Sequence, residues 1–259
     1  MRQTAISASF FAALLCELAA NGFASEAVTR CDELAADPHD PQRVAPGVLY
    51  FDVDPAAAIP ACKAALEAEP GSARLQSQYG TALFRDHRRE EALVWFRKAA
   101  AQGYAAAESD LAYVLADEDP KESLRLTELA VAQGLPVAMG DLGWRYMFGI
   151  VVERDVGKAL ALFRQAIDQG DEYAMCHLGE MYEYGWGVDQ DDSEAVKWYR
   201  TAAERQYRNG WYRLALMLLN GRGVAKDEAQ ARRLLEKAAA QELAPARKEL
   251  DRLRARLDK

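Results

Sequence analysis

Residue types that commonly act as nucleophiles or general bases in enzymes, such as cysteine and histidine, are few in this sequence. Its 259 residues include three histidines, His39, His87 and His177, and four cysteines. Cys176 and His177 together have the residue types of a nucleophile and its general base. Adjacent residues on a helix point about 100° apart, however, so these two side chains do not face each other. We therefore expect no catalytic residue and no enzyme activity.

Two glycine-rich turns invite comparison with phosphate-binding loops. Residues 185–187 read Gly-Trp-Gly, and residues 221–223 read Gly-Arg-Gly. A phosphate loop lies between a strand and a helix, whereas both of these segments follow helical patterns. The sequence also lacks the paired histidines of a metalloprotease helix. We therefore expect neither a cofactor nor a metal ion.

The segment 174–203 predicts a helix, a tight turn and a second helix. Apolar residues four apart, among them Leu178, line one face of the first helix. Gly185 suits the left-handed conformation that often ends a helix. Asp191 suits the N-cap of the second helix, and Glu194 follows three residues later to complete a capping box.

This unit recurs three times with a period of 36 residues. A helix–turn–helix unit that repeats at a period between about 20 and 50 residues is the signature of an α-solenoid. The sequence therefore predicts an all-α solenoid of antiparallel helix pairs, with a C-terminal capping helix that begins at Pro245. The positions in register include Leu142, Leu178 and Leu214; Gly149, Gly185 and Gly221; and Asp155, Asp191 and Asp227.

The unit resembles the Sel-one-like repeat, a relative of the tetratricopeptide repeat. The shared pattern is A-x3-L-G-x2-Y-x2-G-x-G-V-x2-D-x3-A-x2-W-Y-x2-A-A. Its first glycine, Gly179, costs about 1 kcal/mol of helix propensity, which predicts a partner helix packed closely against it. The resemblance covers roughly residues 72–259 and is specific for fold, not for function. The flanking copies depart from the pattern at Val151, Ala215 and Leu218.

Residues 1–24 read as a secretory signal peptide. Arg2 supplies a positive start, residues 5–15 are mostly apolar, and Ala24 is a small residue suited to cleavage before Ser25. The apolar run is too short to span a bilayer. The alternative interpretation is a buried first helix. The signal peptide predicts a periplasmic or secreted protein.

The chain after the signal peptide divides into two predicted parts. Residues 25–71 read as a helix pair joined by a long proline-rich loop, and residues 72–259 as the repeat solenoid. An oxidising compartment allows Cys31 and Cys62 to pair, at a gain of roughly 3 to 4 kcal/mol in the chain-entropy model. The alternative is two buried thiols. Cys176 is then left unpaired.

Composition and charge leave two functional classes open. The formal net charge is −8 and no long basic run occurs, which argues against nucleic acid and anionic membranes as partners. The resemblance implies a scaffold or adaptor of the bacterial cell envelope that binds a protein or peptide on the inner face of the solenoid. The second class is an envelope enzyme or glycan-binding module, related to peptidoglycan or to β-lactamase-like relatives of the repeat.

The resemblance also implies which residues line the inner face. In tetratricopeptide-like units they lie on the first helix, at fixed offsets from the leucine of Leu-Gly. Several of these positions hold large aromatic residues that the core of the repeat does not need, and aromatics dominate binding hot spots. The alternative is that these rings pack against neighbouring repeats. A groove of this kind fits an extended peptide or a partner helix with a basic residue. We predict a groove centred on Tyr113, Trp144, Tyr173 and Tyr212, with acidic contacts from Glu180 and Glu183.

Cleavage of the signal peptide is directly measurable. The small residues before Ser25 predict a mature chain that begins near this residue. N-terminal sequencing of the protein from its natural host checks the position. A retained Met1 would contradict the prediction.

Overall fold

A computed structural model describes residues 25–38 and 40–257, with side chains through residue 255. All regular elements in this part of the chain are helical, so the predicted all-α class is confirmed. None of these helices combines the length and the apolar character that crossing a membrane requires. The predicted signal peptide, residues 1–24, and His39 lie outside the described residues.

Thirteen α-helices are found among the described residues, and most of them are 11 to 14 residues long. A short 3-10 helix, Tyr50–Asp52, precedes the second of them. The α-helices are α1 (25–35), α2 (Pro55–Ala68), α3 (Ala73–Arg85), α4 (Arg89–Ala100), α5 (Ala105–Leu115), α6 (Pro120–Ala132), α7 (Pro136–Phe148), α8 (Val156–Asp168), α9 (Glu172–Tyr184), α10 (Asp192–Glu204), α11 (Arg208–Asn220), α12 (Glu228–Ala240) and α13 (Ala244–Leu257).

The helices form two compact units, which divide between Val114 and Leu115. In unit 2, α7 packs against α8, α9 against α10, and α11 against α12. The first helices of these pairs also contact one another in order, α7 with α9 and α9 with α11. Helix α13, the last helix of the described residues, packs against α12. The predicted solenoid of helix pairs with a C-terminal capping helix is therefore confirmed.

Glycine ends the first helix of each 36-residue copy. Gly149, Gly185 and Gly221 have φ values of 72°, 69° and 67°, the left-handed conformation predicted from their positions. At Val151, where the central copy has Gly187, a β-branched residue also has a positive φ, 65°. The turn geometry is thus retained even where the sequence departs from the repeat pattern.

The second helix begins at the predicted N-cap, but the capping box is not formed. Asp191 accepts the backbone N–H groups of Ser193 at 2.8 Å and Glu194 at 3.1 Å. The Glu194 carboxylate pairs with Lys197 instead of reaching back to the N-cap. The physical reason is that the N–H group of Asp191 already donates to the carbonyl oxygen of Tyr182.

Gly179 is a point of close approach between the two helices of a pair. A Cβ atom at this position would lie 2.6 Å from the ring of Tyr199 on the second helix. One copy earlier, a Cβ atom on Gly143 would lie 2.8 Å from the ring of Phe163. Both rings are fully buried. The predicted packing role of this glycine is therefore confirmed.

Unit 1 contains the predicted disulfide. Cys31 of α1 is bonded to Cys62 of α2, with their Cα atoms 4.6 Å apart. Cys176 is free and buried, as predicted. Helix α2 runs without interruption through Pro60. Its N-cap is Asp54, which accepts the backbone N–H group of Ala56.

Two buried carboxylates hold the proline-rich loop of unit 1 in place. Asp32 accepts hydrogen bonds from Arg74 and Gln78 on α3 and from the backbone N–H group of Val44. Asp40 accepts a hydrogen bond from the hydroxyl group of Tyr104. The loop is therefore packed against α3 and the start of α5, which explains why its irregular backbone is tolerated.

Asp110 of α5 is the third carboxylate in this part of unit 1. Its Oδ2 accepts hydrogen bonds from the hydroxyl groups of Ser77 at 2.9 Å and Thr81 at 3.3 Å, both on α3. Burial raises the pKa of Asp110 to about 7, and the negative charges of Asp37 and Asp40 add to this rise. The two hydroxyl groups oppose it.

The raised pKa makes the stability of unit 1 pH-dependent. The carboxyl group of Asp110 has an ordinary pKa of 3.8, so folding takes up a proton between that value and about 7. Its stabilising contribution is therefore complete below about pH 4 and is lost as the pH rises through 7. Asp110→Asn keeps an oxygen that accepts the hydroxyl hydrogen bonds and carries no charge. We expect the variant to melt at a higher temperature than the wild type at about pH 8, with a smaller difference at about pH 5. A difference that does not change between these pH values would contradict the prediction.

Candidate binding surface of unit 2

A cleft of about 200 Å³ opens on the first-helix side of unit 2. It lies between α9 and α11, and Pro245 at the start of α13 also lines it. Its walls combine the phenol rings of Tyr207 and Tyr212 with charged and amide side chains. The residues that line the cleft are Cys176, His177, Glu180, Tyr207, Asn209, Tyr212, Arg213 and Pro245.

A chain of hydrogen bonds crosses the floor of the cleft. His177 Nδ1 lies 2.7 Å from one carboxylate oxygen of Glu180, and Arg213 donates to the other. Arg213 also donates to the hydroxyl oxygen of Tyr184 at 3.3 Å. Burial alone would raise the pKa of Glu180, but the hydrogen bonds and charges of His177 and Arg213 outweigh it and lower the pKa. Glu180 is therefore an ionised carboxylate that fixes both of its neighbours.

Aromatic rings hold His177 in this orientation. Its imidazole ring stacks on Phe163 with a centroid distance of 5.5 Å. The ring of Tyr173 meets it edge-on at 4.3 Å. Tyr173 in turn contacts Tyr207, one of the residues that line the cleft, with centroids 6.5 Å apart. The sequence pair Cys176–His177 is therefore not a catalytic dyad, since the imidazole is directed at Glu180.

The free thiol of Cys176 forms a buried, uncharged part of the cleft wall. The side chain is only 3% exposed. Burial raises the pKa of this thiol, and the nearby carboxylate of Glu180 raises it further. A thiol with a raised pKa is a poor nucleophile and a poor metal ligand. Among the described residues, no group of three or more His, Cys, Asp or Glu side chains could hold a metal ion.

Glu183 lies on the same helix as Glu180 but is not part of the cleft. Its carboxylate accepts a hydrogen bond from the Tyr199 hydroxyl at 2.6 Å and pairs with Arg222 at 2.8 Å. Arg222 also pairs with Asp192 at 2.6 Å. Glu183 is only 6% exposed, and its contacts with Tyr199 and Arg222 connect α9 to α10 and to the turn after α11.

Four aromatic rings form a continuous row at the ends of α7 and α9. Trp144 contacts Phe148, with centroids 5.5 Å apart, and Phe148 contacts Trp186 at 5.7 Å. Trp186 contacts Tyr184 at 4.7 Å. We call these four residues the aromatic row. Since Arg213 donates to the hydroxyl of Tyr184, the row adjoins the cleft.

The aromatic row is unusually exposed for a set of large apolar side chains. Phe148 is 45% exposed and Tyr184 is 44% exposed. Val151, in the turn after Phe148, is 41% exposed. Trp144 and Trp186 are half-buried. An apolar surface of this kind at the edge of a polar cleft is typical of an interaction site.

The structure places the six predicted binding residues in different settings. Tyr212 and Glu180 line the cleft, and Trp144 is the first ring of the aromatic row. Tyr173 packs inside, against His177 and Tyr207. The sixth residue, Tyr113, belongs to unit 1, where it is 69% exposed and meets Phe84 edge-on. Glu183 is outside the cleft, and whether any of the six binds a ligand stays a prediction.

One premise of the sequence analysis is wrong. The fixed offsets from the leucine also place Met147 and Cys176 on the inner face, outside the core of the repeat, yet Met147 is 1% exposed and Cys176 is 3% exposed. Glu180 and Glu183 are 7% and 6% exposed, and each is paired with an arginine. The reason is that first helices of successive copies pack against one another, which buries part of the face that was taken to be open.

Phe148, Tyr184 and Trp186 are surface residues that the sequence pattern does not predict. A signal for two of them is present, because Phe148 and Tyr184 are 36 residues apart and directly precede the helix-ending glycine of their copies. A large aromatic residue that directly precedes the helix-ending glycine in two successive copies is the feature that could have revealed them. In the next copy, the residue at the same position of the repeat is Asn220, so no aromatic ring continues the row there.

The buried charge of Glu180 makes Arg213 important for stability. Arg213→Met leaves Glu180 without its cation, so we expect the free energy of unfolding to fall by about 2 kcal/mol. Arg252→Met is the matched control, because it breaks an exposed pair with Glu249 that contributes less than about 1 kcal/mol. Urea denaturation of both variants provides the measurement. Equal losses would mean that the Arg213–Glu180 pair is no stronger than a surface pair.

Comparison with known proteins identifies the repeat. The Sel1 repeat model matches residues 77–104, 136–171, 172–207 and 212–243, which together make up just over half of the chain. None of the curated protein sequences matches the chain. Proteins with this repeat generally act as scaffolds for protein interactions.

Several solved structures have a similar fold. A protective antigen of uropathogenic Escherichia coli strains, which displays an SLR fold, is 25% identical with a TM-score of 0.55. The alignment covers 92% of this chain and 50% of the antigen, so the chain spans about half the length of that protein. A Sel1 repeat protein from Oxalobacter formigenes is 24% identical with a TM-score of 0.60, over 75% of this chain and 82% of that protein.

An immunity protein from Pseudomonas aeruginosa shares the fold at lower identity. It is 16% identical with a TM-score of 0.56, and the alignment covers 88% of this chain and 83% of that protein. Identity at this level supports the fold alone. The repeat matches, together with the glycine-ended first helices and aspartate-capped second helices described above, lead to one conclusion: this chain belongs to the Sel1 repeat family.

Proposed function

We propose that this chain is an exported scaffold of the bacterial cell envelope that binds a protein or peptide partner through unit 2. The binding surface consists of the aromatic row and the adjoining cleft. The observation that carries the proposal is the exposure of Phe148 and Tyr184 within a continuous row of rings. Exposed aromatic rings in contact with one another lower solubility unless a partner covers them.

The surface is held in one arrangement before any partner arrives. The rings of the row support one another by edge and tilted contacts, and Tyr184 is held by Arg213. Arg213 is itself fixed by the buried carboxylate of Glu180. A surface that is already ordered loses little side-chain entropy on binding, so more of the contact energy appears as affinity.

Features of unit 1 favour export. The Cys31–Cys62 disulfide is of the kind that persists in an oxidising compartment. The likeness to a protective antigen of uropathogenic E. coli also favours a periplasmic or secreted location. Within unit 1 we propose the exposed ring of Tyr113 as a further contact point for a partner.

The alternative of a glycan-cleaving enzyme has no observation in its favour. Such an enzyme needs two carboxyl groups on either side of a bond, one of them with a raised pKa. Among the residues that line the cleft, Glu180 supplies the carboxylate, and its pKa is lowered. A scaffold role needs no such pair.

The proposed surface can be tested by partner capture. Phe148→Ala combined with Tyr184→Ala removes the two most exposed rings, so we expect the affinity for the native partner to fall by about 30-fold with little change in melting temperature. Asn220→Ala changes the equivalent position of the next copy and is the matched control. The measurement is affinity purification of the mature protein from a periplasmic extract, followed by mass spectrometry and titration of the captured partner. Equal capture by the double variant would place the binding surface elsewhere.

A further inference from the structure

The charges around the aromatic row identify the chemistry of its partner. This inference rests on the proposed function and makes it more specific. We propose that the partner is a polypeptide segment that combines apolar side chains with lysine or arginine. The apolar side chains would lie on the rings of the row, and the cationic groups would lie against carboxylates in the two turns beside it.

Two exposed carboxylates lie in the turns that follow α7 and α9, the helices that carry rings of the row. Glu153 lies in the turn after α7, two residues beyond the exposed Val151. Asp189 lies in the turn after α9, three residues beyond Trp186. Neither carboxylate takes part in an ion pair within the part of the chain that the structure describes. Both remain available to a cationic group on a partner.

The arginine that contacts the row from α11, Arg213, and the arginine in the turn after α11, Arg222, are already neutralised. Arg213 pairs with Glu180, and Arg222 pairs with both Glu183 and Asp192. Each would have to break an internal ion pair before it could bind an anionic partner. This cost makes an acidic partner unfavourable at the row, because a buried carboxylate would be left without its cation.

The charged residues of the two turns, taken together, also carry a negative net charge. Arg154 is exposed and its Nε donates to the carbonyl oxygen of Met147. It is opposed in the same turn by Glu153 and Asp155. In the turn after α9, Asp189 and the N-cap residue Asp191 are both exposed, and no lysine or arginine occurs between residues 185 and 191.

The wider charge distribution supports the same polarity. Aspartate and glutamate far outnumber lysine and arginine between residues 115 and 195, and the reverse holds from residue 196 to the C-terminus. The aromatic row lies entirely in the acidic part. An acidic field over α7 to α10 steers a cationic segment toward the row and repels an anionic one.

The rings themselves suit a cationic neighbour. Lysine and arginine groups are attracted to the faces of tryptophan and tyrosine rings. Trp186 and Tyr184 are neighbours in the row, and Tyr184 is among the most exposed large side chains of the described residues. The chain uses the same contact internally, since Lys158 lies over the ring of Tyr146 at 5.0 Å.

Three synthetic peptides test this inference. They share the same leucine and tryptophan residues and differ only in having lysine, glutamine or glutamate at the remaining positions. Binding to the mature chain is measured by fluorescence anisotropy at low and high salt. We expect the lysine peptide to bind about tenfold more tightly than the glutamine peptide, the glutamate peptide to bind least, and the preference to shrink as salt is added.

Two double variants assign the preference to the proposed groups. Glu153→Gln with Asp189→Asn should remove most of the preference for lysine while leaving binding of the glutamine peptide unchanged. Glu128→Gln with Asp168→Asn is the matched control, since it removes two exposed charges from α6 and from the far end of α8. The control variant should keep the preference.

The outcomes separate this inference from the proposed function. One outcome is that the lysine and glutamate peptides bind with equal affinity while the Phe148→Ala and Tyr184→Ala double variant binds both more weakly. That result overturns the proposal of a cationic partner and supports the proposed binding surface. A lysine preference that survives this double variant places the site elsewhere and overturns both proposals. If none of the three peptides binds while the native partner is still captured through the row, the inference about partner chemistry is wrong.

Discussion

The contact between a glycine on one helix and a large ring on the next is the constraint on which unit 2 depends. Gly179 lies against Tyr199 and Gly143 lies against Phe163, each with no room for a Cβ atom. This contact sets how closely the two helices of a copy approach. Two successive copies share this approach, and the third has the small residue Ala215 at the same position. Successive first helices lie beside one another, so α7, α9 and α11 present a common face. The cleft and the aromatic row are both features of that face.

Polar groups then join one copy to the next. Arg213 reaches Glu180 and Arg222 reaches Glu183, in pairs separated by 33 and 39 residues of sequence. Each buried carboxylate also has a second partner, His177 or the Tyr199 hydroxyl. Leaving either carboxylate unpaired would be costly, so these contacts favour one arrangement of neighbouring copies. The same contacts keep Tyr184 in position beside the cleft, which connects the packing of the repeats to the proposed binding surface.

Much of the fold was predictable because its signals are local and periodic. The 36-residue register indicates where helices begin and end, and the left-handed glycines and aspartate caps are found where the register places them. The disulfide followed from two cysteines on neighbouring helices of a chain predicted to be exported. The binding surface was only partly predictable. Trp144 and Tyr212 were identified from their offsets, whereas Phe148, Tyr184 and Trp186 were not, since their exposure depends on how neighbouring turns stack.

The sequence by itself determined the helical repeat, its turns and its family, because each of these depends on residue types at fixed short spacing. Tertiary structure alone decided which side chains face solvent and which charges remain free. Glu180 and Glu183 look like open acidic contacts in the sequence, yet they are buried, because arginines from the next copy neutralise them. Glu153 and Asp189 look unremarkable in the sequence, yet they are exposed in the turns after α7 and α9 without an ion-pair partner among the described residues. Burial and pairing depend on residues more than 30 positions away, and no local pattern specifies them.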